Sequence, residues 1–218
     1  MKYFTKAWYE EAQIRSFLIF PDTKKEWDDD IAWYESEGLN FKEICKSNLE
    51  NRKTDLLKYL PAHFHPYIED GTLNSQFPSE ELREMADQWV LEYDEKTEVR
   101  VESYRNNYNS IKKSLPENVI NLVEKTLHDA RVISFEMPSK GTLVMTLDCR
   151  GGYHYLTDIR LTFTGVQKMK PTTLREGSVW LYDEVYLTET GFELHVLLDG
   201  PLMEFTILAT NVTIEIIS

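Results

Sequence analysis

The chain has 218 residues, of which 42% are hydrophobic and 12% aromatic, enough to bury a core and too apolar for a disordered chain. Its formal net charge is −13: 17 basic and 26 acidic residues stand up to position 130, and 7 and 11 beyond it, so both parts are negative. Such a chain repels phosphate backbones. The loose basic group Arg150, Arg160, Lys168, Lys170 and Arg175 is too small to reverse this, which argues against nucleic-acid binding.

Apolar residues recur every three to four positions up to about Leu127–Arg131 and alternate with polar ones thereafter. The change predicts an α+β chain. A helical region over 1–128, containing one long helix, precedes an antiparallel β meander over 129–218, curled into a partial barrel or a sandwich.

The first predicted helix runs from about Thr5 to Phe20 and stops at Pro21. Thr23 and Glu26 have the spacing of a capping box, and Trp27, Ile31, Tyr34, Gly38, Phe41 and Cys45 form a stripe one helix face wide, with Gly38 as a point of interruption. A shorter helix from about Arg52 to Leu60 ends at Pro61, and Ala62 to Phe77 reads as irregular, with a turn at Asp70-Gly71. After the N-cap Ser79, the three-four rhythm continues from Leu82 to Leu115, a helix of more than thirty residues with Arg105-Asn106-Asn107 as a possible break. Pro116 opens a short helix carrying Val119, Ile120, Val123 and Leu127.

From Arg131 the period is two, which predicts seven to eight strands. Expected inward sets are Ile133, Phe135 and Met137, then Leu143, Met145 and Leu147, then Ile159, Leu161 and Phe163, with Trp180 and Tyr182 paired in a later strand. Gly151-Gly152 is expected to make a tight hairpin turn.

Several residue groups are candidates for chemistry. His63-Phe64-His65 precedes Glu69, and Pro66 favours an extended His65, which would put both imidazoles on one side. Two imidazoles and a carboxylate could hold zinc or iron with one position open for water, so His63, His65 and Glu69 are the candidate metal ligands. Asp28-Asp29-Asp30 resembles the start of a magnesium motif, but the positions that would complete it hold Ala32, Trp33 and Tyr34, and it reads as a solvated helix start. His128-Asp129 invites an acid–base reading, yet no nucleophile motif accompanies it, and these residues read as satisfying backbone groups at a helix end. Arg160 and Thr162 on one strand, and Glu193 and His195 on another, alternate with inward residues. They are the candidate partner-binding residues on an outer sheet face.

Cys45 and Cys149 are far apart and form no CxxC motif, so both are expected to be reduced and buried. No signal peptide and no stretch able to span a bilayer is apparent, so the cytoplasm is the expected location, and no cofactor is expected.

Three segments carry a resemblance: Met1-x-Tyr3-Phe4-Thr5-Lys6-x-Trp8-Tyr9, then Ile68-Glu69-Asp70-Gly71-Thr72-Leu73 with Pro78, then Leu127-His128-Asp129-Ala130 before a strand run. Together they resemble an uncharacterised bacterial domain-of-unknown-function family typical of spore-forming Gram-positive bacteria. The second half is also similar to β-rich domains of toxin-immunity proteins, which open with a Leu-His-Asp-type segment. Neither resemblance supplies catalytic residues. The expectation is a non-catalytic protein that binds another protein, basic by charge complementarity, in an immunity-like or regulatory role. The alternative is a metal-dependent hydrolase built on His63, His65 and Glu69.

Overall fold

The computed structural model describes residues 1–217 and shows an α+β chain. Six α-helices come first: α1 (Lys6–Arg15), α2 (Lys24–Ser36), α3 (Phe41–Tyr59), α4 (His65–Glu69), α5 (Glu80–Ile111) and α6 (Glu117–Glu124). Eight strands follow: β1 (Arg131–Ser139), β2 (Thr142–Asp148), β3 (Asp158–Thr164), β4 (Lys168–Lys170), β5 (Val179–Thr188), β6 (Gly191–Asp199), β7 (Met203–Ala209) and β8 (Asn211–Ile217).

The chain forms two compact units. One is Ala7–Val99, and the other joins Met1–Lys6 to everything from Arg100 onward. This division differs from the change of periodicity at 128/129. Periodicity reports secondary structure, whereas Tyr108, Val119 and Leu122 are helical residues buried in the core of the strands.

In the helical unit, α1 gives way to a 3-10 turn at Ser16–Leu18, short of the expected end at Phe20. The capping box forms as its spacing predicts: the Glu26 N–H donates to Thr23 Oγ1 at 3.2 Å and the Thr23 N–H to Glu26 Oε2 at 3.0 Å. The stripe from Trp27 to Cys45 is divided between two helices. Gly38 takes φ +73°, which costs glycine little, and Asn40 caps a new helix by accepting the Glu43 N–H. α3 is therefore longer than predicted and contains the segment expected to start at Arg52. The supposedly irregular 62–77 stretch contains a 3-10 turn (Ala62–Phe64) and α4. Ile14, Leu49, Leu56, Phe64, Ile68, Leu73, Leu82 and Ala86 make up the heart of the core.

α5 runs 32 residues without a break at 105–107, about 48 Å at 1.5 Å per residue. Its first two-thirds belong to the helical unit and its end to the other.

The strands form one antiparallel sheet in the order β4-β7-β6-β5-β1-β2-β3-β8, open at both edges. Its two four-stranded halves are joined along a short seam at the start of β1 and β5, where Arg131 pairs with Val179 and the Val132 N–H donates to the Ser178 carbonyl at 2.9 Å. They face each other across one core: Phe163 of β3 lies 6.4 Å from Phe192 of β6, and Phe135 of β1 lies 5.9 Å from Phe205 of β7. Two bulges correct the predicted inward sets. A register shift between Val132 and Ser134 buries Val132 and leaves Ile133 exposed; Phe135 returns to the core, and Met137 lies exposed near the strand's end. A second shift between Trp180 and Tyr182 puts Trp180 in the core and Tyr182 on the outer face. Gly151-Gly152 does not make a tight hairpin. It belongs to a longer β2–β3 connection, where a Cβ on Gly152 would come within 3.2 Å of the Cys149 and His128 carbonyl oxygens.

Candidate functional site

The metal candidates do not adopt the expected extended course. Phe64 (φ −83°, ψ −20°) and His65 (φ −56°, ψ −40°) are helical, so positions 63 and 65 point about 200° apart around the axis. The His63 ring lies 4.8 Å from that of Phe64, while His65 Nε2 sits 3.2 Å from the Leu60 carbonyl oxygen at the end of α3. Glu69 closes α4 and is exposed. Among the described residues, no group of three His, Cys, Asp or Glu side chains is arranged to hold a metal ion. In the aspartate run, Asp28 and Asp29 pair with Lys24 and Lys25 one turn back.

His128-Asp129 acts through its backbone. The Asp129 N–H donates to the Trp180 carbonyl at 2.8 Å and Trp180 returns the bond to Ala130 at 2.8 Å, which sets β1 against β5. Asp129 takes φ +70°, a conformation that aspartate tolerates better than most residues. His128 Nδ1 approaches Asp129 Oδ2 to 3.1 Å without hydrogen-bond alignment, and the ring packs edge-on against Tyr182 at 5.3 Å.

The four partner-binding candidates lie on outer sheet faces but not together. Arg160 and Thr162 are on β3, where Arg160 pairs with Glu215 of β8 at 3.0 Å. Glu193 and His195 are on β6, in the opposite half of the folded sheet. Because the inner faces of the two halves oppose each other, their outer faces point apart. His195 is also engaged locally: its ring lies 5.3 Å from Tyr186 and its Nδ1 3.4 Å from Thr206 Oγ1.

Beside His195 lies a feature that the alternation pattern does not reveal. Glu184 of β5 is fully buried on the outer face, and its carboxylate accepts the backbone N–H groups of Lys2 (2.8 Å), Tyr3 (2.7 Å) and Phe4 (2.6 Å) and the hydroxyl of Tyr186. The Tyr3 and Phe4 rings pack on Tyr104 at 5.5 and 5.2 Å, and Phe4 lies 5.6 Å from Tyr182. The Tyr104 hydroxyl accepts the Val185 N–H at 3.1 Å, covering a stretch of β5 that is paired with β6 on one side and with no strand on its β1 side. Both Tyr104 and Tyr186 hold their protons more tightly than an ordinary tyrosine, chiefly through burial. Adjacent Asp183 is pushed up to about 6, first by burial and then by Glu184, against the opposing bond from the Trp180 indole N–H at 3.1 Å. With four donors already on Glu184, this is a clasp for the amino-terminal segment rather than an acid–base pair.

Charge is divided unevenly between the two units. Residues 7–99 contain 10 basic and 22 acidic residues, a net −12, while the rest of the chain contains 14 and 15, a net −1. Two of the hollows in the helical unit have a tryptophan in their walls. One, of about 650 Å³, has Trp27, Tyr34, Phe41 and Cys45 in its walls, together with Asp30, Arg52 and three asparagines. The other, of about 330 Å³, lies between Pro61 and His63 on one side and the Glu84–Glu92 stretch of α5 on the other.

The free cysteines are both buried. Burial raises the thiol pKa of each, and that of Cys149 reaches about 12 with the help of Asp148 and Asp158. No helix among the described residues is long and apolar enough to cross a membrane.

A search of curated proteins finds no match. Residues 3–209 match a family described as a protein of unknown function, DUF4085. That match spans nearly the whole chain, both units included, and the chain therefore belongs to the DUF4085 family.

Proposed function

We propose that this protein is a non-catalytic binding module that captures a basic partner protein through its helical unit, in an immunity-like or regulatory role in the cytoplasm. The observation that carries this reading is the segregation of charge, with −12 of the net −13 on residues 7–99. A field of that strength steers cationic partners into encounter and repels anionic ones. Two features support the absence of chemistry: the most buried carboxylate, Glu184, is saturated by hydrogen bonds, and the His128 ring bonds to no hydroxyl or thiol among the described residues. Free, buried cysteines fit a reducing compartment.

Cross-linking in cells followed by mass spectrometry tests the proposal. The expected result is a partner cross-linked to residues 7–99 through a lysine- and arginine-rich surface. Cross-links concentrated on the strands, or an acidic partner surface, would overturn it.

A further inference from the structure

The hollow of about 330 Å³ on α5 has a construction that the metal reading of His63 does not anticipate. Glu84, Gln88 and Glu92 recur at intervals of four, so they line up along one face over two turns. Met85 and Trp89 lie one position further around the helix and supply an apolar floor, closed on the far side by Pro61 and His63. Trp89 is held in place by stacking on Tyr93, with ring centroids 5.5 Å apart and planes 10° from parallel. Glu84 and Glu92 are exposed at the rim, and neither is paired with a cation among the described residues. The Gln88 amide donates to Glu92 at 2.7 Å, which holds one carboxylate in place and leaves the amide oxygen free as an acceptor. The surrounding helix is itself strongly acidic: residues 80–98 contain eight carboxylates against Arg83 and Lys96.

We propose that this hollow is the anchor point for an arginine side chain of the partner protein. The apolar floor accepts the arginine's aliphatic stem, the indole of Trp89 offers a ring to the guanidinium, and the two rim carboxylates and the Gln88 oxygen take up its N–H donors. A planar, weakly hydrated cation with five donors suits this set better than an ammonium does. The larger hollow is a poorer match, because Arg52 lies in its wall and α3, which forms one side of it, has a net charge of +2. The inference rests on the proposed capture of a basic partner and gives it an address.

The test is a titration of the full chain with a blocked alanine peptide that carries one central arginine, followed through the indole N–H resonance of Trp89, with the citrulline peptide as the uncharged isostere. The expected result is a saturable shift for arginine and none for citrulline. Glu84→Gln/Glu92→Gln should weaken binding by roughly tenfold or more, the scale of losing a close charge pair. Glu95→Gln/Glu98→Gln removes the same charge from exposed positions outside the hollow and should leave binding nearly unchanged. Equal losses in both variants, or equal binding of citrulline, would overturn the hollow as the anchor while leaving a diffuse acidic surface as the binding device. The same holds if the single-arginine peptide fails to bind while an oligo-arginine peptide binds. If neither binds, the capture of a basic partner falls as well. All four substituted positions are exposed, and circular dichroism of each variant confirms that the fold is kept.

Discussion

Replacing Glu184 by alanine removes the acceptor for the N–H groups of Lys2, Tyr3 and Phe4 and for the Tyr186 hydroxyl, all of which converge on one buried carboxylate. If the amino-terminal segment stayed docked, each orphaned donor would cost about 1–3 kcal/mol. The segment has a cheaper escape. It can peel away and hydrate its N–H groups, at the expense of exposing Tyr3 and Phe4, each 9% exposed when docked. Burying such a ring is worth about 1.5–3 kcal/mol, so release caps the loss at about 3–6 kcal/mol. Glu184→Ala should therefore lose about 3–5 kcal/mol. Glu184→Gln, which keeps the shape and one acceptor oxygen, should lose less. Urea unfolding followed by far-ultraviolet circular dichroism gives the magnitude, and hydrogen exchange at residues 2–4 reports whether the segment has detached. A Glu184→Ala protein within about 0.5 kcal/mol of the parent, with residues 2–4 still protected, would refute the clasp.

Other consequences follow from the same geometry. Asp183 titrates at about 6 in the folded protein, above its usual value near 4 when unfolded, so the folded state holds the extra proton between those limits. Its contribution to stability is therefore full below about pH 4 and lost as pH rises through 6, by about 2–3 kcal/mol. Asp183→Asn should accordingly raise Tm at pH 7.5 and change it little at pH 4; an equal effect at both would show that the carboxyl does not titrate as placed. Cys45 and Cys149, buried with raised pKa values, should resist a thiol reagent at pH 8 and react fully in denaturant. Rapid native labelling of Cys149 would contradict its burial.

Much of the architecture was legible because it rests on local signals. The switch of period near residue 130, the Thr23–Glu26 capping box and the long helix after Ser79 each depend on residues close in sequence, and each appears in the structure. The division into units was less legible, because α6 and the end of α5 pack with strands that lie far along the chain. The two bulges misled the inward sets at Ile133 and Tyr182, since one extra residue reverses a period of two without leaving a trace in composition. His63 was singled out for a pairing with His65 that a helical turn prevents, yet it lies beside Glu84 and Trp89, more than twenty positions away. Glu184 stood unnoticed between Asp183 and Val185 because its donors come from the other end of the chain.

The central claim is that the helical unit's charge captures the partner, and the most direct measurement compares two sets of substitutions of equal size. One neutralises Glu81, Glu84, Asp87 and Glu92 in the helical unit, the other Glu117, Glu136, Glu176 and Glu189 in the strand-bearing unit, all of them exposed. Calorimetric titration of each full-length protein with an oligo-arginine peptide at low salt should show affinity falling sharply for the first set and holding near the parent value for the second. Equal losses from both sets, or no binding by the parent protein, would contradict the account.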